Sequence, residues 1–393
     1  MHVLMNGLSI GSGGGFTVGR MLHRHLALAR PGWKVTLMLT EGNSLHRELE
    51  RLERPGNAEL LWAPPRTARY RSRLRHERHG VGPWCEAHGV GFLLQLSATA
   101  GAPGGVPVFS LFQDPLPYRP QAWSKRLDWL RQPLKRRAME RTLGSCTVAG
   151  WTSGYLERLV TGHHGIRPRD SRVLYNGIRA DWVDRDRASL TPWAERPLRI
   201  LTVSNVAGYK RQVLVIDAVA LLHAEGVDAR YHICGHGTPG DYAALRTRAE
   251  ARGVGDRVHV EGRVSEQRVE ELFGSSRCYC LMSLCESFGI GAVEAMSFGT
   301  PVVVADCCAI PEVCNDPTVL CPVDDVHALR DRLRTALLSP EATAGQIRRG
   351  FENIERFRWP RIAEEVAVAM EENAGLRDAP ARAPSPSLEA EPA

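Results

Sequence analysis

The chain has 393 residues, beyond the roughly 250–300 at which one hydrophobic core stops growing, so two domains are expected. An apolar share of 43% with 24% charged residues suits a globular chain, and no run approaches the ~18–20 apolar residues of a membrane span. The net charge of +6 hides an asymmetry: residues 1–180 hold 26 Lys and Arg against 12 Asp and Glu, and the remainder holds 24 against 32.

The opening residues, "MHVLMNGLSI", lack the basic start and cleavage site of a secretory leader and read as a first strand. A cytoplasmic protein is therefore expected. The glycine-rich stretch "GLSIGSGGGFT" follows, then a helix over 17–28. Glycines there, Gly14 and Gly15 among them, let backbone amides approach a phosphate at a helix N-terminus; a tight turn is the alternative. The dinucleotide pattern G-x-G-x-x-G fails, because Phe16 stands where its third glycine would be. Further strands are expected at 3–5, 35–39, 91–96, 108–111 and 147–149, alternating with helices, which points to an α/β architecture with parallel sheets.

Two segments concentrate the basic excess, "RTARYRSRLRHERHG" (66–80) and "SKRLDWLRQPLKRRAMER" (124–141). In the second, Leu127, Leu130, Leu134 and Ala138 recur at helical spacing beside Trp129. A basic face next to apolar residues suits an anionic membrane surface or an anionic acceptor, and a solvated helix face is the competing explanation. No recognition motif accompanies the charge, so nucleic acid is not expected as a partner. The polar, proline-bearing stretch 181–197 reads as a linker.

Beyond it the alternation restarts with "LRILTVS", "ARYHIC", "RVHVEG", "CYCLM" and "PVVVA" as strands. Two βα-repeating domains place the default ligand site in the cleft at the carboxyl ends of their strands. "GHGTPG" (235–240) matches the dinucleotide pattern but follows the second strand of its domain, and Pro239 removes an amide donor; it reads as a turn. Seven of the ten cysteines fall between Cys278 and Cys321 without a C-x-x-C pair, so they read as small buried hydrophobes, and no metal site is expected.

Two features carry chemistry. The chain has 46 arginines and four lysines, yet Lys210 stands at a strand-to-helix junction in "TVSNVAGYKRQVLVIDAVALL". There a compact ammonium suits a diphosphate, with Arg211 as a second, more exposed cation. The second is "ESFGIGAVEA" (286–295), which sets Glu286 on a loop entering a helix and Glu294 within its first two turns. Amides at such a helix start can meet phosphate, and a nearby carboxylate can accept from the vicinal hydroxyls of a sugar ring. Helix initiation by one acid and a solvent-facing position for the other is the simpler alternative.

Read as a whole, "ESFGIGAVEAMSFGTPVVVAD" resembles the signature of glycosyltransferase family 4, retaining GT-B enzymes that use nucleotide-sugar donors. "LYNGI", "ICGHG", "VHVEGRVSEQRVEELFGSS" and "FRWPRIAEEV" add to the resemblance, which extends over residues 1 to about 372 and is most specific in 198–304. It implies a GT-B fold: two Rossmann-like βαβ domains facing an interdomain cleft, with a C-terminal helix crossing back to the first. The implied boundaries are 1–180 with 359–373, a linker at 181–197, a nucleotide-sugar domain at 198–358 and a disordered tail at 374–393. By position, the resemblance gives Lys210 to the diphosphate, Glu286 to the transferred sugar and Glu294 to the ribose. Ser287, Phe288, Gly289, Ile290 and Gly291 would serve sugar and diphosphate, Arg263 and Val264 the base edge, and Gly14 and Gly15 the N-terminal glycine loop.

Two positions depart from the family pattern. Asn205 replaces the arginine that usually partners the phosphate lysine, and Gln113 in "SLFQDPLPY" replaces a histidine. Gln113, with Asp114 beside it, can hydrogen-bond a sugar hydroxyl but cannot serve as a base. A front-face retaining mechanism tolerates this, since the leaving phosphate takes the acceptor proton. The expected activity is transfer of a sugar from a nucleoside diphosphate to a lipid-linked, polysaccharide or small-molecule acceptor, with no cofactor and no metal. Peripheral contact with the inner membrane surface through 66–80 and 124–141 is part of that expectation. A sugar-nucleotide 2-epimerase or a non-catalytic nucleotide-sugar-binding protein would share the same grip on the nucleotide.

Overall fold

Strands buried on both faces favour parallel sheets covered by helices, and most strands here are near-continuous apolar runs. A computed structural model of the protein describes residues 1–10, 14–42, 49, 53–99, 101, 103–123 and 127–375. Gly11 to Gly13 of the glycine loop, residues 124–126 of the second basic segment and the tail beyond 375 lie outside the described residues.

The first sheet contains β1 (His2–Asn6), β2 (Lys34–Thr40), β3 (Ala58–Ala63), β4 (Phe92–Gln95), β5 (Val108–Phe112), β6 (Val148–Trp151) and β7 (Asp170–Val173). All its pairings are parallel, in the order β3-β2-β1-β4-β5-β6-β7. The second contains β8 (Arg199–Val203), β9 (Arg230–Cys234), β10 (Val258–Gly262), β11 (Cys278–Leu281), β12 (Val302–Ala305) and β13 (Leu320–Cys321). It is again parallel, in the order β10-β9-β8-β11-β12-β13. In each sheet the chain builds outward from its first strand on one side and then reverses to the other. The reversals fall between β1 and β4 and between β8 and β11, the topological switch points outside which ligands bind in such folds.

The helices among the described residues include α1 (Gly14–Ala29), α2 (Asp128–Ser145), α3 (Gln212–Ala224), α4 (Glu266–Ser275), α5 (Ile290–Ser297) and α6 (Trp359–Asn373). The chain divides into two compact units. One comprises Met1–Gln113, Leu130–Tyr175 and the residues from Trp359; the other comprises Asp114–Trp129 and Asn176–Arg358.

Helix α6 follows the second unit in sequence but belongs to the core of the first. Trp359, Ile362, Ala363, Val366, Ala367 and Met370 are buried in one cluster with Val3, Met5, Leu22, Leu26 and Phe92. Polar clamps hold the same helix at its rim. Arg30 donates to Glu364 at 2.8 Å and Glu371 at 2.6 Å, and Asn373 donates to Asp170 at 2.9 Å.

Two segments depart from the sequence expectation. Residues 181–197, expected as a linker, pack into the second unit, with Trp182, Val183 and, at the segment's end, Arg196 buried. Its guanidinium donates to the carbonyl of Phe298 at 2.9 Å, to the carbonyl of Ser276 at 3.2 Å and to the Thr300 hydroxyl at 2.8 Å. Burial lowers its pKa to about 10, with Arg277 adding to the shift. Residues 114–129, assigned to the first domain from sequence, group with the second unit, where Arg119 donates to the carbonyl of Leu284 at 3.2 Å.

Candidate functional site

The loops leaving β8 and β11 emerge side by side at the switch point of the second sheet. After β8, residues 208–210 form one 3-10 turn, and Arg211 at φ 53° caps α3. Gln212 fastens the loop by donating to the carbonyl of Asn205 at 3.0 Å. Lys210 thus stands at the carboxyl end of the first strand of its sheet. After β11, the amide of Leu284 donates to the carbonyl of Tyr209 at 2.8 Å, which joins the two loops one residue before the lysine and two before Glu286.

Lys210 and Glu286, placed on different parts of a donor from sequence, form an ion pair, Lys210 Nζ donating to Glu286 Oε1. Both side chains are nearly buried, at 12% and 13% exposure. Burial pulls the pKa of Lys210 down, but the Glu286 carboxylate outweighs it and the net shift is upward. The ammonium also lies 5.4 Å from the ring centroid of Tyr209. A fixed ammonium in a nearly dry setting interacts strongly with a further anion.

The turn into α5 depends on two glycines for different reasons. Gly289 caps the helix at φ 88°, a left-handed conformation costly for any residue with a side chain. Gly291 has no space: a Cβ there would meet the Tyr279 hydroxyl at 2.3 Å and the carbonyl of Val203 at 3.2 Å. Phe288 turns into the core, where its ring packs edge-on against Phe357 at 5.2 Å, so it offers only backbone on the other side. Ser287 and Ile290 flank these positions in the same turn.

Glu294 lies on α5, and its carboxyl makes no hydrogen bond or ion pair among the described residues. Burial raises its pKa to about 7; the Arg179 charge opposes that shift and Glu266 reinforces it. Arg179 itself is held by Asp181 at 2.6 Å and Glu266 at 3.1 Å, and stacks over Trp182 at 4.9 Å. Arg263, exposed, and Val264, half-buried, directly precede Ser265, whose hydroxyl accepts from the Arg268 amide at 3.2 Å to start α4. Asn205 is exposed, and Arg211 is tied to Asp324. In the first unit, Gly14 and Gly15 open α1, and Gln113 donates to the carbonyl of Leu96 at 2.9 Å. The carboxylate of Asp114 accepts from the Leu116 amide at 2.9 Å and lies in the second unit.

Sequence reasoning missed Tyr209, Arg119, Arg179 and Glu266 as neighbours of these groups. Tyr209 had a signal, being adjacent to the lysine. Arg179 had none in a chain so rich in arginine. The "GHGTPG" turn is built for close packing: a Cβ at Gly235 would meet the carbonyl oxygen of Ser204 at 1.9 Å, and the Tyr242 hydroxyl accepts from the Gly237 amide at 2.8 Å. Among the described residues no group of three or more His, Cys, Asp or Glu is placed to hold a metal ion. No helix among them is long and apolar enough to cross a membrane.

Residues 186–352 match the family described as glycosyl transferases group 1. Among curated proteins, the chain is 30% identical over 181 residues to a GDP-mannose-dependent alpha-(1-6)-phosphatidylinositol dimannoside mannosyltransferase of Mycobacterium tuberculosis, covering 45% of each chain. It is 28% identical over 211 residues to the N-acetyl-alpha-D-glucosaminyl L-malate synthase of Bacillus anthracis, covering 52% of this chain and 54% of the relative. The chain thus spans about half the length of the curated relatives it matches. Among solved structures, sucrose-phosphate synthase from Thermosynechococcus elongatus superposes with a TM-score of 0.74 at 17% identity, covering 95% of this chain and 98% of that one. HepE of Anabaena, solved in complex with UDP-glucose, gives 0.71 at 16% identity, covering 95% and 100%. At such identities the likeness shows the fold, which is GT-B.

Proposed function

We propose that this chain, a GT-B protein whose residues 186–352 belong to the group 1 glycosyl transferases, moves a sugar with retention of configuration from a nucleoside diphosphate to an acceptor hydroxyl. The observation that carries the proposal is the meeting of Lys210 and Glu286 where the loops of β8 and β11 leave the switch point.

The reaction breaks the bond between the anomeric carbon and the phosphate oxygen, and negative charge grows on the departing diphosphate. Lys210 and the amides at the start of α5, from Gly289 to Gly291, counter that charge in place, so no solvent has to reorganise. The diphosphate competes with Glu286 for the ammonium, and Glu286, released from the pair, accepts from hydroxyls of the transferred sugar. The acceptor hydroxyl attacks on the face the phosphate leaves, and its proton goes to the departing phosphate oxygen. Gln113 need not be a base in this scheme; with Asp114, Gly14 and Gly15 it serves the sugar and acceptor side. Glu294 takes the ribose hydroxyls, Arg263 and Val264 the base edge, and Asn205 and Arg211 the outer side of the diphosphate. No metal and no cofactor enter any step.

A panel of UDP-glucose, UDP-N-acetylglucosamine and GDP-mannose tests the proposal, with slow donor hydrolysis and saturation-transfer NMR as readouts and a chelator in parallel. One donor is expected to bind and to hydrolyse at the same rate with and without chelator. Binding without turnover would instead support a non-catalytic nucleotide-sugar-binding protein. Loss of turnover with the chelator would contradict the metal-free scheme.

Helix α2 supports a membrane-peripheral or lipid-linked acceptor. Trp129 and Leu130 are 69% and 64% exposed, with Leu127 and Leu134 also exposed, on a segment that carries Arg131, Lys135, Arg136, Arg137 and Arg141. Apolar side chains beside that many cations fit an anionic headgroup layer, where each Lys or Arg near the surface contributes about 1 kcal/mol. The protein is expected to co-sediment with phosphatidylglycerol vesicles and not with phosphatidylcholine vesicles. Trp129→Ser with Leu130→Ser should weaken that binding several-fold, and equal binding to both vesicle types would remove the membrane from the proposal.

A further inference from the structure

Of the ten cysteines, eight are buried; Cys307 and Cys308 are the two that reach the surface. They are neighbours in sequence, on the loop after β12. Cys308 adopts φ 61°, and this left-handed conformation turns the two side chains to the same side, with Sγ atoms 3.1 Å apart. Both sulfurs stand within hydrogen-bonding reach of the carbonyl of Leu284, at 3.7 Å for Cys307 and 3.2 Å for Cys308, and their two S–H protons are shared between that carbonyl and the contact between the sulfurs. Arg119 donates to that same carbonyl at 3.2 Å and to the Cys307 sulfur at 3.4 Å. Leu284 stands two residues before Glu286, and its amide is bonded to Tyr209 beside Lys210.

This arrangement suits a particular ligand chemistry. A direct disulfide between adjacent residues is disfavoured, because neighbouring Cα atoms are about 3.8 Å apart and disulfides usually need about 4.4–6.8 Å. A zinc ion takes four protein donors in a structural site, and no third His, Cys, Asp or Glu is placed to join a metal among the described residues. A centre that asks for two soft sulfurs and brings its own third substituent has neither difficulty. We propose that Cys307 and Cys308 form a bidentate dithiol site for a trivalent arsenic centre, and that filling it disturbs the loop bearing Glu286.

With an organoarsenic oxide, two sulfur–arsenic bonds form while both S–H bonds and the arsenic–oxygen bond break. Both protons leave on the oxide oxygen as one water, and arsenic stays trivalent, so neither oxidant nor reductant is required. The hydrogen bond with Cys308, with burial behind it, holds the Cys307 thiol well above its ordinary pKa against the pull of Arg119, which slows its attack, since the thiolate is the nucleophile, and leaves the balance of the step unchanged. Once bound, the sulfurs no longer donate to the Leu284 carbonyl, and Arg119 remains as donor to sulfur and carbonyl alike. Of the three groups within reach of that carbonyl, only Arg119 is then left to steady the approach to Glu286. This consequence for the donor site rests on the function proposed above.

The test uses the full chain and phenylarsine oxide. Intact mass should rise by one reagent less one water, survive exchange into a monothiol and revert with 2,3-dimercaptopropanol. Digestion should map the adduct to the peptide holding Cys307 and Cys308, which requires no variant to fold. Cys307→Ser and Cys308→Ser should each lose the stable adduct. No adduct on the folded protein, or an adduct mapped elsewhere, overturns the site. In a second arm, the modified chain should bind UDP or GDP about tenfold more weakly, recovering with the dithiol. Unchanged affinity at full modification overturns the coupling to the Glu286 loop. The mass readout does not depend on donor binding, so its failure and that of the proposed function are told apart.

Discussion

Lys210→Ala is expected to lower the rate of sugar transfer by about 10²–10³ at saturating donor, the usual cost of removing one preorganised group from a developing oxyanion. The substitution also strands Glu286, whose carboxylate loses its only ion-pair partner among the described residues in a nearly buried position. A stranded buried charge is destabilising, so the melting temperature has to be measured alongside the rate. Lys210→Arg separates the two effects: it keeps the charge opposite Glu286, yet its rigid planar fork replaces a compact ammonium. Recovery of stability without recovery of rate is the expected outcome. A Lys210→Ala variant that keeps the parental rate would remove the lysine from the chemistry.

Nucleotide affinity is expected to rise with pH through about 7, because Glu294 binds the ribose as a carboxylate. Burial raises its pKa from 4.5 to about 7, with Arg179 opposing and Glu266 adding to the shift. A ribose diol donates two hydrogen bonds to the ionised form, which favours that form and drives a proton off on binding. Each hydrogen bond to a charged group contributes about 1.5–3 kcal/mol, so Glu294→Ala should weaken nucleotide binding by at least about 10- to 100-fold. Calorimetry at pH 6 and pH 8 in two buffers of different ionisation enthalpy reads the released proton directly.

The same residue carries an opposite stability effect. A carboxyl whose folded pKa is raised holds its proton more tightly when folded, so stability is full below about 4.5 and falls as pH rises toward 7. Glu294→Gln removes that cost, and above pH 7 the variant should melt at a higher temperature than the parent while binding nucleotide less well. The phosphate of the nucleotide titrates in the same range, and Glu294→Gln controls for it, since only the Glu294 part of the pH dependence disappears. A variant with the parental pH profile would rule out the ribose role.

Much of the fold could be read from the chain in order. Apolar runs such as Val35–Leu39 and Val302–Ala305 announce buried parallel strands, and the restart at Arg199 announces a second set of repeats. The short edge strand β7 was not legible: Asp170 and Arg172 make it polar, and its place is secured by pairing to β6 and by the contact of Asn373 with Asp170. The segment 181–197 read as a linker because its composition is polar, whereas the buried Trp182 and Val183 and a buried arginine with five acceptors pack it down. Composition reports average solvation, and a few buried side chains, one of them a hydrogen-bonded guanidinium, override it.

By itself the sequence determined the architecture, the two glutamates eight positions apart and the lone lysine at a strand end. These are local matters, set by periodicity and by which residue types a helix start or a tight turn accepts. Tertiary structure decided what those residues do to one another. Lys210 and Glu286 lie 76 residues apart in the chain and meet only because the sheet reverses between β8 and β11. Glu294 acquires a pKa near 7 through burial, and the thiols of Cys307 and Cys308 reach the Leu284 carbonyl across two loops. Charge, desolvation and distance act through space, and no spacing along the chain encodes them.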